Sequence, residues 1–502
     1  MTRNAGPDGE RQVGWELVRE SLFHVERLEA TTLQAQIREM LVTAVVAGHL
    51  PQGTPVPSTR VMAKRLRVSR NTVISAYQAL AEDGYLVPRE RSGFYVADDV
   101  VVCNGIKPAS KPPAQEIDWA SRLRIRPSLQ DNITKPANWQ DYPYPFIYGQ
   151  VDLDHFPITA WRNCMRQAMG RKWIGAWMDD RFTEDDPMLI EQIRQRILTR
   201  RGVLAGADEI LVTMGAQNAL HILANLLIKP KTRFAIENPG YPDMRNLVEL
   251  LGGSVRSVPV DAEGLVTNDL GNAELVFVTP SHQFPTNVTM SLERRHSLLN
   301  WAEKNDALII EDDYEFETNY AGEPTPALKS LDRTGRVIYV GSFSKSLLPG
   351  IRLGFIAGAA PLLAEARAYR RLMLRHPPGN NQRAVALFLA LGHHDALIGR
   401  LHKVYATRER TMRAALEAHL PGWSRSPGFG GTSFWVEGPK HFDAAELSKC
   451  VRAEGVLIEP GQIHFNNRME GRNTFRLGFS SIPEERIEPG VERMAKVALN
   501  MI

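Results

Sequence analysis

VIYVGSFSKSLLPGIRLGF, residues 337–355, passes from an apolar strand-like run into a Ser-x-Ser-Lys turn and leaves through Pro349, Gly350 and Arg352. A lysine after such a run is, by itself, an ordinary surface lysine. The Pro-Gly-x-Arg that follows makes Lys345 more specific, because an arginine placed there can clamp an oxyanion through two parallel hydrogen bonds. Ser342 and Ser344 add hydroxyl donors on the same turn. Working outward, runs of the same kind stand upstream: EILVT (209–213), RFAIE (233–237), LVFVT (275–279) and ALIIE (307–311). Each is short and β-rich, and each follows a stretch of helical periodicity. That is the pattern of an α/β fold with a mainly parallel sheet covered on both faces.

The ends of these runs carry chemistry. Asp312 follows ALIIE, and ligands of open α/β sheets bind at the C-terminal ends of strands. Glu311 and Asp313 flank it, and composition does not separate the three. A metal site is the rival for EDDYEFE, disfavoured because no histidine cluster accompanies it. Tyr314 lies two residues on. TMGAQNAL (213–220) opens a helix after EILVT, so the N–H groups of Ala216 and Gln217 would face an anion from a helix N-terminus. ENPGYPD (237–243) places Tyr241 in a turn, and FRLGFS places Arg476 near the C-terminus. A lysine, a carboxylate, phosphate donors, a stacking ring and an anion site are what pyridoxal 5'-phosphate (PLP) asks of a protein. Lys345, Asp312, the Arg352/Ser342/Ser344/Ala216/Gln217 set, Tyr241 and Arg476 are the candidates, with Tyr314 for the 3′-oxygen. GFGGTSFW (428–435) invites a dinucleotide reading, but it opens a strand and so points to backbone packing.

The 502 residues exceed one core, and composition divides them. Residues 1–30 are polar and are expected to form a mobile arm. Residues 31–98 are compact and helix-rich, residues 99–138 form a linker around KPASKPPAQE (107–116), and residues 139–502 hold the α/β pattern. In the compact segment Leu33, Ile37, Met40, Leu41, Ala44 and Val45 make one helical face. Ser58 caps a short helix ending near Leu66, and Ser69 caps the next, with Val73, Tyr77 and Leu80 inward and Gly84 at its end. GYLVPRERSGFYVA then reads as two strands around a turn containing Ser92 and Gly93, a wing. Between Val56 and Ala97 seven basic residues face three acidic ones, although the whole chain is nearly balanced at +3. A locally basic helix-turn-helix is the footprint of a DNA binder, although a solvated helical face carries charge too. Cys103, Cys164 and Cys450 form no CxxC pair, the N-terminus lacks an apolar leader, and no apolar run approaches a membrane span. A soluble cytoplasmic protein without a metal centre is the expectation.

Together these motifs resemble known families over most of the chain. VPSTRVMAKRLRVSRNTVISAYQALAEDGYLVPRERSGFYV is similar to the winged helix of GntR-type regulators. The resemblance implies that Arg60, Arg70, Asn71 and Thr72 face double-stranded DNA, with Ser69 opening the recognition helix and Gly93 at the wing tip. Which of them read bases and which touch phosphate stays open. From about residue 140, GAQNAL, ENPGYPD, TPSHQFPTNVTM, IIEDDYEFE, GSFSKSLLPGIRLG and FRLGFS resemble, in order, the fold type I aminotransferase domain of MocR-type regulators. That resemblance implies a Schiff base between Lys345 and PLP, Asp312 on the pyridine nitrogen, and Tyr314 on the 3′-oxygen. It further implies a phosphate site at Arg352, Ser342, Ala216 and Gln217, Tyr241 stacked, His282 in a pocket loop, and Arg476 on the effector's anion. It implies a domain-swapped homodimer, an operator of DNA beside a metabolic operon, and sensing of a small amine through an external aldimine. An anionic amine such as an amino acid, taurine or an ectoine-derived diamino acid fits Arg476; a working aminotransferase with an attached DNA-binding domain is the alternative. DRFTEDDPMLIEQIR (180–194) and Asn287 depart from the family pattern near the pocket, which leaves effector identity open.

Overall fold

The computed structural model describes Val25 and residues 31–100, 117–320, 325–426 and 430–502. The expected arm, apart from Val25, and the KPASKPPAQE linker lie outside the described residues. The chain divides into two units, Met1–Ser121 and Arg122–Ile502.

In the first unit, α1 (Leu33–Val46) starts at Thr32, whose hydroxyl accepts from Ala35 N at 3.2 Å. It buries Ile37, Leu41, Ala44 and Val45, while Leu33 and Met40 stay half-buried. Ser58 caps α2 (Thr59–Leu66), which stops at Arg67 in the left-handed region, φ 54°. Ser69 caps α3 (Arg70–Glu82) by accepting from Thr72 N at 3.1 Å. The Tyr77 hydroxyl, fully buried on α3, donates to the Pro57 carbonyl at 2.9 Å and ties α3 to the turn before α2. Strands β1 (Leu86–Arg89) and β2 (Gly93–Val96) pair antiparallel from Leu86–Val96 to Arg89–Gly93. The turn is therefore 90–92, and Gly93 (φ 96°) opens the returning strand. Ser69→Ala removes the oxygen that satisfies an otherwise orphaned N–H, and should destabilise this unit by about 1 kcal/mol in urea denaturation.

The first strand of the second unit is short, β3 (Tyr144–Pro145), and an eight-stranded sheet follows. Its strands are β4 (Ile210–Thr213), β5 (Arg233–Asn238), β6 (Ser254–Asp261), β7 (Gly264–Leu265), β8 (Leu275–Val278), β9 (Leu308–Asp312), β10 (Val337–Ser342) and β11 (Gly354–Ala357). The order is β4-β11-β10-β9-β8-β5-β6-β7. β10, β9, β8, β5 and β6 run parallel, β11 runs antiparallel between β10 and β4, and β7 turns back on β6. The mainly parallel expectation holds. The expectation of a helix before every strand does not: β8 is reached through the β6–β7 hairpin and a 3-10 turn. Both faces are buried, as alternation along a covered strand requires. Phe234, Phe277, Ile310 and Ile338 pack on one side, and Ala235, Val276, Ile309 and Val337 on the other.

A smaller antiparallel sheet follows, in the order β12 (Ser433–Glu437), β15 (Thr474–Gly478), β14 (Glu459–Pro460). β13 (Val456–Leu457) pairs with β3, which brings residues ahead of the large sheet to the side of the small one. Among the described residues no single helix is long and apolar enough to cross a membrane.

Candidate functional site

The parallel strands end together, and their C-terminal ends wall a cavity of about 180 Å³. β4 runs through Met214 and Gly215 (φ 82°) into α4 (Ala216–Leu227), whose N-terminus has no side-chain cap. Its first N–H groups are unpaired by construction of a helix and carry its positive dipole end. Ala216 and Gln217 line the cavity there. Arg352, left-handed at φ 53°, brings its guanidinium against Gly215 and donates from Nη2 to the Met214 carbonyl at 3.1 Å. Ser342 and Ser344 complete that side. Helix end, guanidinium and hydroxyls form a cradle for a phosphate-like anion.

The three carboxylates at the end of β9 separate cleanly. Glu311 accepts from Leu328 N (2.7 Å) and Lys329 N (2.8 Å). Asp313 accepts from Arg201 Nε (2.7 Å) and the Tyr339 hydroxyl (2.8 Å), and the guanidinium holds it below its ordinary value even though burial pushes the other way. Asp312, on the opposite side of the pleat, lines the cavity, and its Oδ1 is buried with no partner among the described residues. Burial, reinforced by the Asp313 charge, raises Asp312 to about 8.

Lys345 lies in the same wall. Burial lowers its amine to about 8, with Arg476 acting in the same direction and Glu315 against it. Its Nζ sits 4.4 Å from the centre of the Tyr148 ring. Gly149 faces that Nζ and is left-handed (φ 77°), a backbone conformation that favours glycine. Tyr241 lines the cavity, its one hydroxyl proton shared between Gln217 Oε1 (2.8 Å) and Asp243 Oδ2 (3.1 Å). Tyr314 also lines it, with its hydroxyl donating to the His282 carbonyl at 3.0 Å.

Lys345, Asp312, Tyr314, Tyr241, Ala216, Gln217, Ser342, Ser344 and Arg352 thus line one cavity. His282 and Arg476 do not. His282 is buried beside it, and burial lowers its imidazole to about 4, so it is neutral. Arg476 lies beyond the Tyr148 ring, its guanidinium carbon 4.1 Å from the ring centre, and is paired with Glu459. Tyr148, Thr279 and Phe284 also line the cavity; Thr279 and Phe284 fall within TPSHQFPTNVTM, whereas no sequence motif marks Tyr148 or its neighbour Gly149. A broader open groove of about 960 Å³ beside Phe182, Asp185 and Arg371 contains none of these groups. Asn287 is left-handed (φ 62°) and buried, and donates to the Ser433 carbonyl of β12.

In the first unit Arg60, Ser69, Arg70, Asn71 and Gly93 are exposed and Thr72 is half-buried. Arg70 Nε donates to Thr59 Oγ1 (3.3 Å), and the Ser69 and Thr72 hydroxyls share a hydrogen bond of 2.7 Å. Lys64, Arg67, Arg89 and Arg91 are also exposed.

Comparison with known proteins agrees with both halves. Residues 33–96 match the family "Bacterial regulatory proteins, gntR family", and residues 181–494 match "Aminotransferase class I and II". The chain is 45% identical to the HTH-type transcriptional regulator TauR of Rhodobacter capsulatus, over 93% of this chain and 96% of that protein. It is 30% identical to the probable rhizopine catabolism regulatory protein MocR of Rhizobium meliloti, over 93% and 94%. Among solved structures, the multiple substrate aminotransferase of Thermococcus profundus is 25% identical with a TM-score of 0.69, covering 77% of this chain and 99% of that one.

Proposed function

This chain belongs to the MocR-type transcription regulators of the GntR family, and from that premise we propose that it is a cytoplasmic, PLP-dependent sensor of a small primary amine. The observation that carries the proposal is one cavity holding a desolvated lysine, an unpartnered carboxylate oxygen and an anion cradle, in a chain that also has a basic winged helix. The residues fit the cofactor. Asp312 Oδ1 is free to accept from a pyridinium nitrogen, the α4 N-terminus with Arg352 and Ser342 would hold the phosphate, and Tyr241 would flank the ring. Bound there, PLP supplies an aldehyde that condenses with primary amines. Lys345 would hold it in the resting protein, and an effector amine would take the lysine's place.

Freeing Lys345 changes the contacts around Tyr148. A ligand shifts a conformational equilibrium only by its differential affinity for the two states, and this exchange is where such a difference would arise. Arg60, Arg70, Asn71 and Thr72 would read or grip the operator, with Ser69 and Gly93 placing helix and wing. A domain-swapped homodimer would present two such units to a repeated site.

The lowered amine gives a pH prediction. With a value of about 8, roughly a tenth of Lys345 is neutral at pH 7, against well under a thousandth for an unperturbed lysine. PLP capture by the cofactor-free protein, followed by stopped-flow absorbance, should accelerate up to about pH 8 and then flatten.

The function itself is tested with full-length PLP-loaded protein and DNA from upstream of the neighbouring genes. A borohydride-trapped adduct on Lys345, and an amine that alters both the cofactor absorbance and operator retention, are expected. Sustained keto-acid production with operator binding indifferent to every amine would instead make the chain an aminotransferase with a passenger DNA-binding domain.

A further inference from the structure

We propose that Tyr148 gates the path from the Lys345 cavity to Arg476. The acid of an anionic amine reaches the guanidinium only by turning the Tyr148 ring aside, and that turn is passed to the small sheet. The proposal rests on the amine-sensing reading of the cavity. Arg476 is 1% exposed and does not line the cavity, whereas Tyr148 and Phe284 do. The guanidinium carbon lies 4.1 Å from the centre of the Tyr148 ring and 4.4 Å from that of Phe284, so the two rings form the wall in front of it. Arg476 Nε donates to Glu459 Oε2 at 2.8 Å, and Nη2 lies 2.8 Å from the same oxygen. That pairing takes two of an arginine's five N–H groups, so an acid can join Arg476 without displacing Glu459. Lys135 stands within electrostatic reach of Glu459 as a further cation.

Of the two rings, Tyr148 is the one placed to turn. Phe284 is boxed in: its N–H donates to Thr279 Oγ1 at 2.9 Å, and its ring packs edge to face with Tyr241, Tyr314 and His464. Tyr148 sits in a turn outside the helices and strands, and the left-handed Gly149 follows it. Its N–H is anchored on Glu459 Oε1 (3.3 Å), so the movement is a rotation of the side chain. The Tyr148 hydroxyl donates to Glu315 Oε2 at 2.8 Å. Glu315 is buried, and its other oxygen accepts from the Thr432 hydroxyl, one residue ahead of β12. Phe479 N in turn donates to the Thr432 carbonyl at 2.9 Å. Tyr148, Glu315 and the small sheet are therefore one chain of contacts, and displacing the ring breaks its first link. A ligand that must break a contact to bind biases the state which that contact holds. Its apparent affinity is reduced by the fraction of molecules in which the gate is shut.

Tyr148→Phe keeps the ring and removes the link to Glu315. Full-length PLP-loaded protein, unaltered and Y148F, is titrated with 3-aminopropionate, 2-aminoethanesulfonate and propylamine while cofactor absorbance and operator retention are followed together. Propylamine has no acid and needs no open gate, so it is the reference. The ratio of the tighter acid's midpoint to that of propylamine is expected to fall about tenfold in Y148F, the worth of one hydrogen bond. The change in operator retention at saturating acid should shrink at the same time. A tyrosine with a merely structural role would affect all three ligands alike and leave the ratio unmoved. A ratio that holds or rises, or one that falls while the operator change stays full-sized, would overturn the proposal. Absorbance indifferent to all three ligands, in protein whose Lys345 adduct is trapped by borohydride, would overturn it too. A lowered ratio in a protein whose operator retention ignores every ligand even when unaltered would uphold the gate and sink the sensing reading instead.

Discussion

Lys345→Ala is expected to abolish the borohydride-trapped cofactor adduct entirely and to remove every amine-dependent change in operator binding, while the operator itself is still bound. The reason is local. Among the residues lining the cavity, Lys345 is the sole primary amine, and its Nζ stands 4.4 Å from the centre of the Tyr148 ring. No neighbouring side chain can take over its covalent bond, so the loss should be complete, where a deleted hydrogen bond would produce only a graded one. The winged helix has its own core of Ile37, Leu41, Val73, Tyr77 and Leu80 and does not depend on that lysine for its fold. Lys345→Arg separates charge from nucleophilicity, since it keeps a cation beside Glu315 but cannot condense with an aldehyde. Loss of the amine response in both variants, by gel mobility and absorbance, is the expected outcome. A response retained in the arginine variant would mean that the signal does not pass through covalent exchange.

The parts of this site that local sequence could reveal are those built from contiguous residues. Asp312 and Lys345 end apolar runs, and each run is a strand because its residues are buried on both faces of a covered sheet. What stayed hidden depends on partners distant in the chain. Glu311, Asp312 and Asp313 look alike until the pleat sends Asp312 one way and Arg201 claims Asp313 from the other. Tyr148 and Glu315 are 167 residues apart and meet only once the fold is made. Glu459 and Arg476 are closer, 17 residues apart, yet their pairing depends on the β14–β15 register, which no composition shows. No apolar run marks β6, because it lies near the sheet edge with Ser254, Arg256 and Pro259 exposed. Without such a run, the stretch before β8 reads as helical, whereas the chain uses the β6–β7 hairpin there. In the winged helix almost everything was local: Ser58 and Ser69 announce their helices by cap chemistry that acts over three residues.

Asp312→Asn should act in opposite directions on the two forms of the protein, and that is what makes it diagnostic. In the cofactor-free chain Asp312 is buried with an unpartnered oxygen and is raised from 3.8 to about 8. Between those values the unfolded chain has released the proton and the folded chain still holds it. Stability of the cofactor-free protein therefore falls as pH rises through that window, by about 1.4 kcal/mol per pH unit at most, and levels off above it. Asparagine has no proton to lose, so the variant should lack this slope and be the more stable form near pH 8 in thermal or urea denaturation. With PLP the balance reverses. The carboxylate would be paired with the pyridinium, and a hydrogen bond to a charged group contributes about 1.5–3 kcal/mol, so the amide should weaken cofactor binding by roughly ten- to a hundredfold. A variant that lost PLP affinity and stability together at pH 8 would mark Asp312 as a structural carboxylate and not as the cofactor's partner.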